Sequence, residues 1–278
     1  METIKEKIIT EIIDIPIPPP VAKRILLLLN NETFSINELQ ELIFKDQALT
    51  TRILRLANSP FYRKNGEIST ISNALIIMGT DAIKPIILAA VLKNLYSHFG
   101  YYEKLLWEHN IEVSVISSLI AEEIKMSQTE KALIAGITHD VGKAALNNSL
   151  QSYKMLMQKS QKENIPIYEI ENAMLGFSHC DVGVLIAQKW GLPQYIEKII
   201  SAHHSDTLES LDKETEMLCR IVKIANAVSH HINSRFEGCL NIYNIAEEQL
   251  RLDKATVDKI AETSRKTCNE QVNQLLTI

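Results

Sequence analysis

Five histidines and one aspartate stand in an ordered series along the chain: His109, the doublet His139-Asp140, His179, and the doublet His203-His204. Imidazole and carboxylate are donors for zinc, iron and manganese, and a helical bundle can bring such donors together from separate segments. Neighbouring residues on a helix point about 100° apart, so a doublet can reach two adjoining sites only from a helix end or inside a cavity between helices. Gly142, just after the first doublet, fits such an end. Lys143, three residues past Asp140, can aim its ammonium at an anion held over a metal, as a phosphoryl group would be. Residue type alone leaves a plainer reading open. A histidine on a helix surface is ordinarily solvated and one on an apolar face ordinarily belongs to the core, while Asp140 can be a helix cap and Lys143 a solvated charge. His98, His230 and His231 are assigned to that plainer category.

The elements that must carry these residues read as helices. Ile15 to Pro20 is an extended entry, because each proline disfavours αR in the residue before it, and a helix should start near Val21. Ser35 and Glu38 form a capping-box pattern ahead of apolar residues at helical spacing, predicting a helix to about Phe44. Asp46 can cap the next helix, which stops at Asn58-Ser59-Pro60. Thr70 or Ser69 opens another that closes at Gly79, and Thr80 opens a long apolar one through Leu95, with Pro85 early enough to be tolerated. Further helices are expected near 103–125, 129–137, 149–163, 167–175, 179–190, 193–204, 213–235 and 253–276. Strand signals are almost absent; the stretch from Cys239 to Ile245 is too short to assign. The expected fold is all-α, with a helical N-terminal lobe over residues 1–97, a helical bundle over 98–235 and a helical extension over 236–278.

Composition narrows the class. The 278 residues are 46% hydrophobic and 23% charged with 9 Gly and 8 Pro, which excludes a disordered, collagen-like or coiled-coil chain. A net charge of −5 gives no global basic field, so neither nucleic acid nor an anionic membrane is an expected partner. The most apolar segment, Pro85 to Leu92, is far shorter than the roughly 20 residues of a membrane helix and reads as a buried one. The first residues show no signal-peptide pattern, and a cytoplasmic location is expected. The four cysteines, Cys180, Cys219, Cys239 and Cys268, form no CxxC pair, which fits reduced thiols better than disulfides or a thiolate zinc site.

The order of motifs then resembles a known family. His109, ITHDVGK around His139-Asp140, GFSHCDVGVLIAQKWGLP around His179, and His203-His204 resemble the HD superfamily of metal-dependent phosphohydrolases. IPIPPP from Ile15, DQALTTRILRLANSPFY from Asp46 and ISTISNALIIMG from Ile68 resemble its HDOD branch, the HD-related output domain of bacterial signalling proteins. The resemblance covers about residues 13–235. It implies a helical lobe packed on an HD-like bundle and a regulatory role, with a signalling protein or a small phosphorylated ligand as partner.

The catalytic HD relatives imply that His109, His139, Asp140, His179, His203 and His204 lie at metal-ligating positions and Lys143 near a substrate phosphate. Were the site active, Asp140 and Lys143 would carry the chemistry. Two positions depart from the pattern: Asn226 stands for the last HD aspartate, and Leu105 for a Glu found one turn before the first histidine in some two-metal relatives. An amide at Asn226 still offers a carbonyl oxygen as a ligand but removes charge and a proton acceptor, so one divalent ion (Fe, Mn or Zn) is expected rather than two. The GYP segment of cyclic-di-GMP hydrolases is absent after His204. A non-catalytic signalling module is therefore the favoured expectation, and a phosphohydrolase of a nucleotide or related phosphate the alternative.

Overall fold

A computed structural model describes residues 4–14, 18–29, 34–58, 67–96, 100–205, 207–233 and 242–276. Among them are fifteen α-helices and no strand: α1 (Ile4–Ile12), α2 (Pro20–Leu29), α3 (Ile36–Phe44), α4 (Gln47–Ala57), α5 (Ile71–Leu92), α6 (Tyr101–Glu123), α7 (Thr129–Thr138), α8 (Val141–Ser149), α9 (Tyr153–Glu163), α10 (Ile167–Leu175), α11 (His179–Trp190), α12 (Gln194–Ala202), α13 (Lys213–Ile232), α14 (Ile242–Leu250) and α15 (Lys254–Leu276). The expected all-α class is what the chain adopts.

The expected caps form. The Ser35 Oγ accepts from the Glu38 amide at 3.4 Å, Asp46 Oδ1 from Leu49 at 2.9 Å, and Thr70 Oγ1 from Asn73 at 3.1 Å. Each satisfies one of the amides a helix start leaves without a partner. Besides the unforeseen α1 over Ile4–Ile12, the structure departs from the sequence reading in four places. Gly79 does not separate two helices; it kinks one continuous α5 by adopting φ 78° and ψ 159°, a conformation open to glycine. That helix ends at Leu92 and tightens into a 3-10 turn over Lys93–Tyr96. The helix expected over 149–163 is α9, which starts only at Tyr153, and ahead of it lies the unforeseen α8, which begins directly after Asp140. Residues 242–250 are the helix α14, where no element had been assigned. The segments around Ile15 to Ile17, Ser59-Pro60, His98 and Cys239 lie outside the described residues.

Buried apolar side chains form one continuous core from Ile9 to Ile260. Pro85 to Leu92 are buried within it, and among the described residues no helix is long and apolar enough to cross a membrane. The 23-residue α6, with Trp107, Ile111 and Ile116 buried, packs against α7, α13 and α15. A second set of contacts joins α8 to α11 and α11 to α12. Both packings depend on glycine. A Cβ on Gly136 of α7 would meet the Ser114 Cα of α6 at 2.6 Å, and one on Gly142 of α8 would lie 1.9 Å from the carbonyl oxygen of His179. These two close approaches bring α6, α7, α8 and α11 together at one point.

Candidate metal centre

That point carries the histidine series. Both doublets lie at helix ends, as their adjacency requires: His139 follows the last residue of α7, Asp140 precedes the first of α8, and His203-His204 follow α12. His109 projects from the middle of α6, and His179 is the first residue of α11, whose start is fixed by a Ser178–Asp181 capping box. Asp140 occupies the cap position of α8 without using its side chain as a cap, so the carboxylate is free to turn inward.

Asp140 is 1% exposed and four imidazoles surround it. Its Oδ2 lies 3.5 Å from His109 Nε2 and 3.3 Å from His139 Nε2; its Oδ1 lies 3.2 Å from His179 Nε2 and 3.5 Å from His203 Nε2. His204 joins through a 3.2 Å approach of its Nε2 to His179 Nε2. Lys143 Nζ donates to Asp140 Oδ2 at 2.5 Å. All of the histidines carried over from the sequence pattern, together with Asp140 and Lys143, therefore meet in one place.

The outward face of each ring fixes its tautomer. His139 Nδ1 is 2.7 Å from the Gly136 carbonyl and His203 Nδ1 is 2.8 Å from that of Ile200. A carbonyl only accepts, so Nδ1 bears the proton and Nε2 presents a lone pair. His109 Nδ1 is 3.0 Å from Ser229 Oγ, whose own proton goes to Glu112 Oε2 at 2.6 Å, giving the same assignment. His179 Nδ1 donates to Glu171 Oε2 at 2.7 Å, and Tyr153 holds the other oxygen of that carboxylate at 2.6 Å. Outer acceptors of this kind orient histidine ligands and raise their basicity.

Inside the ring of histidines several acceptors meet no donor among the described residues. His109 Nε2, His139 Nε2, His203 Nε2 and Asp140 Oδ1 are buried with no hydrogen-bond partner among the described residues. Leaving one such group unsatisfied costs about 1–3 kcal/mol, so four at one point call for a cation. The residues fit a divalent metal, which would supply a Lewis acid at this position.

Charge states follow the same geometry. Burial drives the rings of His109 and His203 down to about 4, against the pull of Asp140. His204 is held well below its ordinary value by burial and by the neighbouring rings of His203 and His179. Burial opposes ionisation of Asp140, but His139 and Lys143 outweigh it and hold the acid well below the usual range. At His179 burial is outweighed by Cys180 and the Glu171 carboxylate, which favour the charged ring. Two imidazole nitrogens 3.2 Å apart need a proton or a metal between them, and a charged His179 beside a neutral His204 supplies the proton where no metal does.

The site contains more than the sequence pattern named. Cys180, with no CxxC partner to mark it, groups with His179, His203 and His204, one ligand atom from each lying within 4.8 Å of all the others. Glu171 could have been noticed, because it falls on the apolar face of α10 with Ile167 and Ile170 and is fully buried. Ser229 and Glu112 carry no such signal. His230, assigned to the plain category, stacks on His109 with centroids 4.8 Å apart; His231 is exposed and meets Tyr243 instead. Asn226 is buried on α13, one turn before Ser229, and its Oδ1 has no hydrogen-bond partner among the described residues. Leu105 is half-buried on α6, one turn before His109.

An all-helical protein with a buried His/Asp cluster drawn from helix ends has the architecture of the HD class. Within it, the HDOD domain model matches residues 15–206, and the chain belongs to the HDOD family. It is similar to a solved HDOD domain protein of unknown function from Geobacter sulfurreducens, at 25% identity over 97% of this chain and 96% of that one, with a TM-score of 0.79. An uncharacterized protein of Treponema pallidum is 24% identical over 91% of this chain and 50% of its own length. A ribonuclease Y of Aquifex aeolicus is 26% identical over 60% of this chain and 31% of its own. The chain thus spans half the length of the first of these curated relatives and under a third of the second.

Proposed function

We propose that this HDOD protein is a bacterial regulatory module in which the His/Asp centre holds one divalent ion and does not turn over phosphate. The observation that supports this most strongly is the unequal treatment of the two Asp140 oxygens. Oδ1 is buried without a hydrogen bond and faces His179 and His203, whereas Oδ2 carries the Lys143 ammonium. Donor sets stand on both sides, His109, His139 and Asp140 on one and His179, Cys180, His203 and His204 on the other; our reading places the ion with the second set, beside Oδ1. On the Oδ2 side a cation is already present, and Asn226 brings no negative charge to attract another. Lys143 is 7% exposed and committed to Asp140, which leaves its ammonium poorly placed to grip a substrate phosphoryl group. The output then passes to a signalling protein or answers a small phosphorylated ligand.

Metal analysis of protein purified without added metal tests the reading. The expected result is about one equivalent, absent from both His203→Ala and Asp140→Ala, which remain folded by circular dichroism. The likeness to a ribonuclease Y favours the hydrolytic alternative, so phosphate, nucleotide and oligoribonucleotide release should be assayed on cyclic dinucleotides, nucleoside phosphates and RNA with Mn²⁺ or Fe²⁺. Turnover abolished by Asp140→Ala would overturn the non-catalytic assignment.

A further inference from the structure

We infer that Cys180 is a thiolate ligand of this ion, which makes the Oδ1 half of the centre a zinc-selecting Cys/His₃ site; the inference rests on the metal-binding reading above. Three observations carry it. The first is proximity. Ligand atoms of His179, Cys180, His203 and His204 all lie within 4.8 Å of one another. Atoms bound to one zinc ion at about 2.0–2.3 Å stand roughly 3.3–3.8 Å apart in a tetrahedron, so shifts of about an ångström bring this set to coordination.

The second is the demand already present at the site. His203 is 1% exposed, and its Nε2 faces Asp140 Oδ1 with neither atom hydrogen-bonded among the described residues. The sulfur therefore joins a pocket where buried acceptors already stand without a donor among the described residues, and it does not have to create that demand. The third is the position of Cys180 itself. It is 9% exposed and is the second residue of α11, within the first turn and next to His179.

When the sulfur–metal bond forms, the thiol proton leaves to bulk water.

Softness then sets the preference. A thiolate favours zinc over manganese, whereas an all-imidazole and carboxylate site separates them less. With three nitrogens and one sulfur the ion has four protein donors, the closed arrangement of structural zinc sites rather than the open one of catalytic sites, and Asp140 Oδ1 stands beside it as the carboxylate that balances its charge.

The test is spectroscopic and uses the full chain loaded with Co²⁺ in place of the native ion. The expected spectrum contains a thiolate-to-cobalt charge-transfer band in the near ultraviolet and intense tetrahedral bands in the visible. Cys180→Ser should bind cobalt without the charge-transfer band, and its zinc affinity should fall at least about tenfold while its manganese affinity changes little. Cobalt bound by the wild type with no charge-transfer band, or a band that survives in Cys180→Ser, overturns the thiolate assignment and leaves the metal-binding reading intact. Failure of the wild type to bind cobalt or zinc at all overturns both. The wild-type spectrum decides the question even where Cys180→Ser does not fold.

Discussion

The two halves of the centre are built to the same plan and finished differently. On one side His109 from α6 and His139 at the end of α7 face Asp140 Oδ2; on the other His179 from α11 and His203 at the end of α12 face Oδ1. Each half is closed by a glycine that lets two helices touch, Gly136 against α6 and Gly142 against α11. Yet Oδ2 accepts a hydrogen bond from Lys143 while Oδ1 accepts none among the described residues and has His179 Nε2 at 3.2 Å, and only the Oδ1 half adds a fifth imidazole in His204 and a sulfur in Cys180. The lesson is that a shared ligand pattern does not by itself imply two ions. An ammonium placed three residues along the helix from the shared carboxylate can take the place of one of them.

The largest effect that could break this comparison comes from removing one imidazole on each side. His203→Ala should abolish metal binding, whereas His109→Ala should retain an ion with affinity reduced by no more than about tenfold, because its ring acts on the Oδ2 side. Isothermal titration of the chelator-stripped proteins with Zn²⁺ measures both. Equal loss in the two variants would mean that a single ion draws on both halves, and the asymmetry would fail.

Next in size is Gly142→Ala. The new methyl would stand inside contact distance of a backbone carbonyl that cannot rotate away, so α8 must shift from α11. Overpacking of this kind costs about 3 kcal/mol or more. A fall in thermal midpoint together with loss of zinc binding is expected, since Asp140 and His179 would separate. A variant of unchanged stability would show that the close approach of α8 and α11 does not set the geometry.

The asymmetry can also be erased. Lys143→Met vacates Asp140 Oδ2, and Asn226→Asp offers a carboxylate one turn from Ser229, so the double variant should raise the metal content from one equivalent toward two, with each single change giving part of the increase. Elemental analysis after dialysis against Mn²⁺ reads this directly. No change in the double variant would place Asn226 outside the site.

How much of this was legible in the sequence differs between the fold and the site. Helix starts were readable where a cap is a local event: Ser35, Asp46 and Thr70 each bond an amide three residues ahead. Gly79 was misread because a positive φ looks the same in sequence whether it ends a helix or kinks one, and only the packing of α5 decides. The inward ligands were legible as doublets because adjacency forces a helix end, which the structure bears out at His139-Asp140 and at His203-His204. The outer layer was not. Ser229 lies 120 residues from the His109 it orients, and no spacing rule connects them. Cys180 was set aside for want of a second cysteine, although a thiolate among imidazoles needs none.

The smallest predicted difference concerns that outer layer, where the halves diverge again. His179 is oriented by Glu171 directly, with both the ring Nδ1 and the backbone amide of His179 donating to Oε2. His109 meets its carboxylate only through Ser229, and Glu112 also accepts from Asn233 Nδ2 at 2.6 Å. A charge in contact with a ligand ring raises its basicity more than one relayed through a hydroxyl. Glu171→Gln keeps the shape and one acceptor but removes the charge, and loss of such an outer partner typically weakens metal affinity roughly 10–100-fold. Glu112→Gln should cost less than about threefold, because the serine still accepts from His109 and the ion is held on the other side. Competition with a chromophoric zinc chelator resolves the two. A Glu112→Gln effect as large as that of Glu171→Gln would mean that the Oδ2 half contributes ligands to the same ion, and the Lys143 ammonium would then have to leave Asp140 when metal binds.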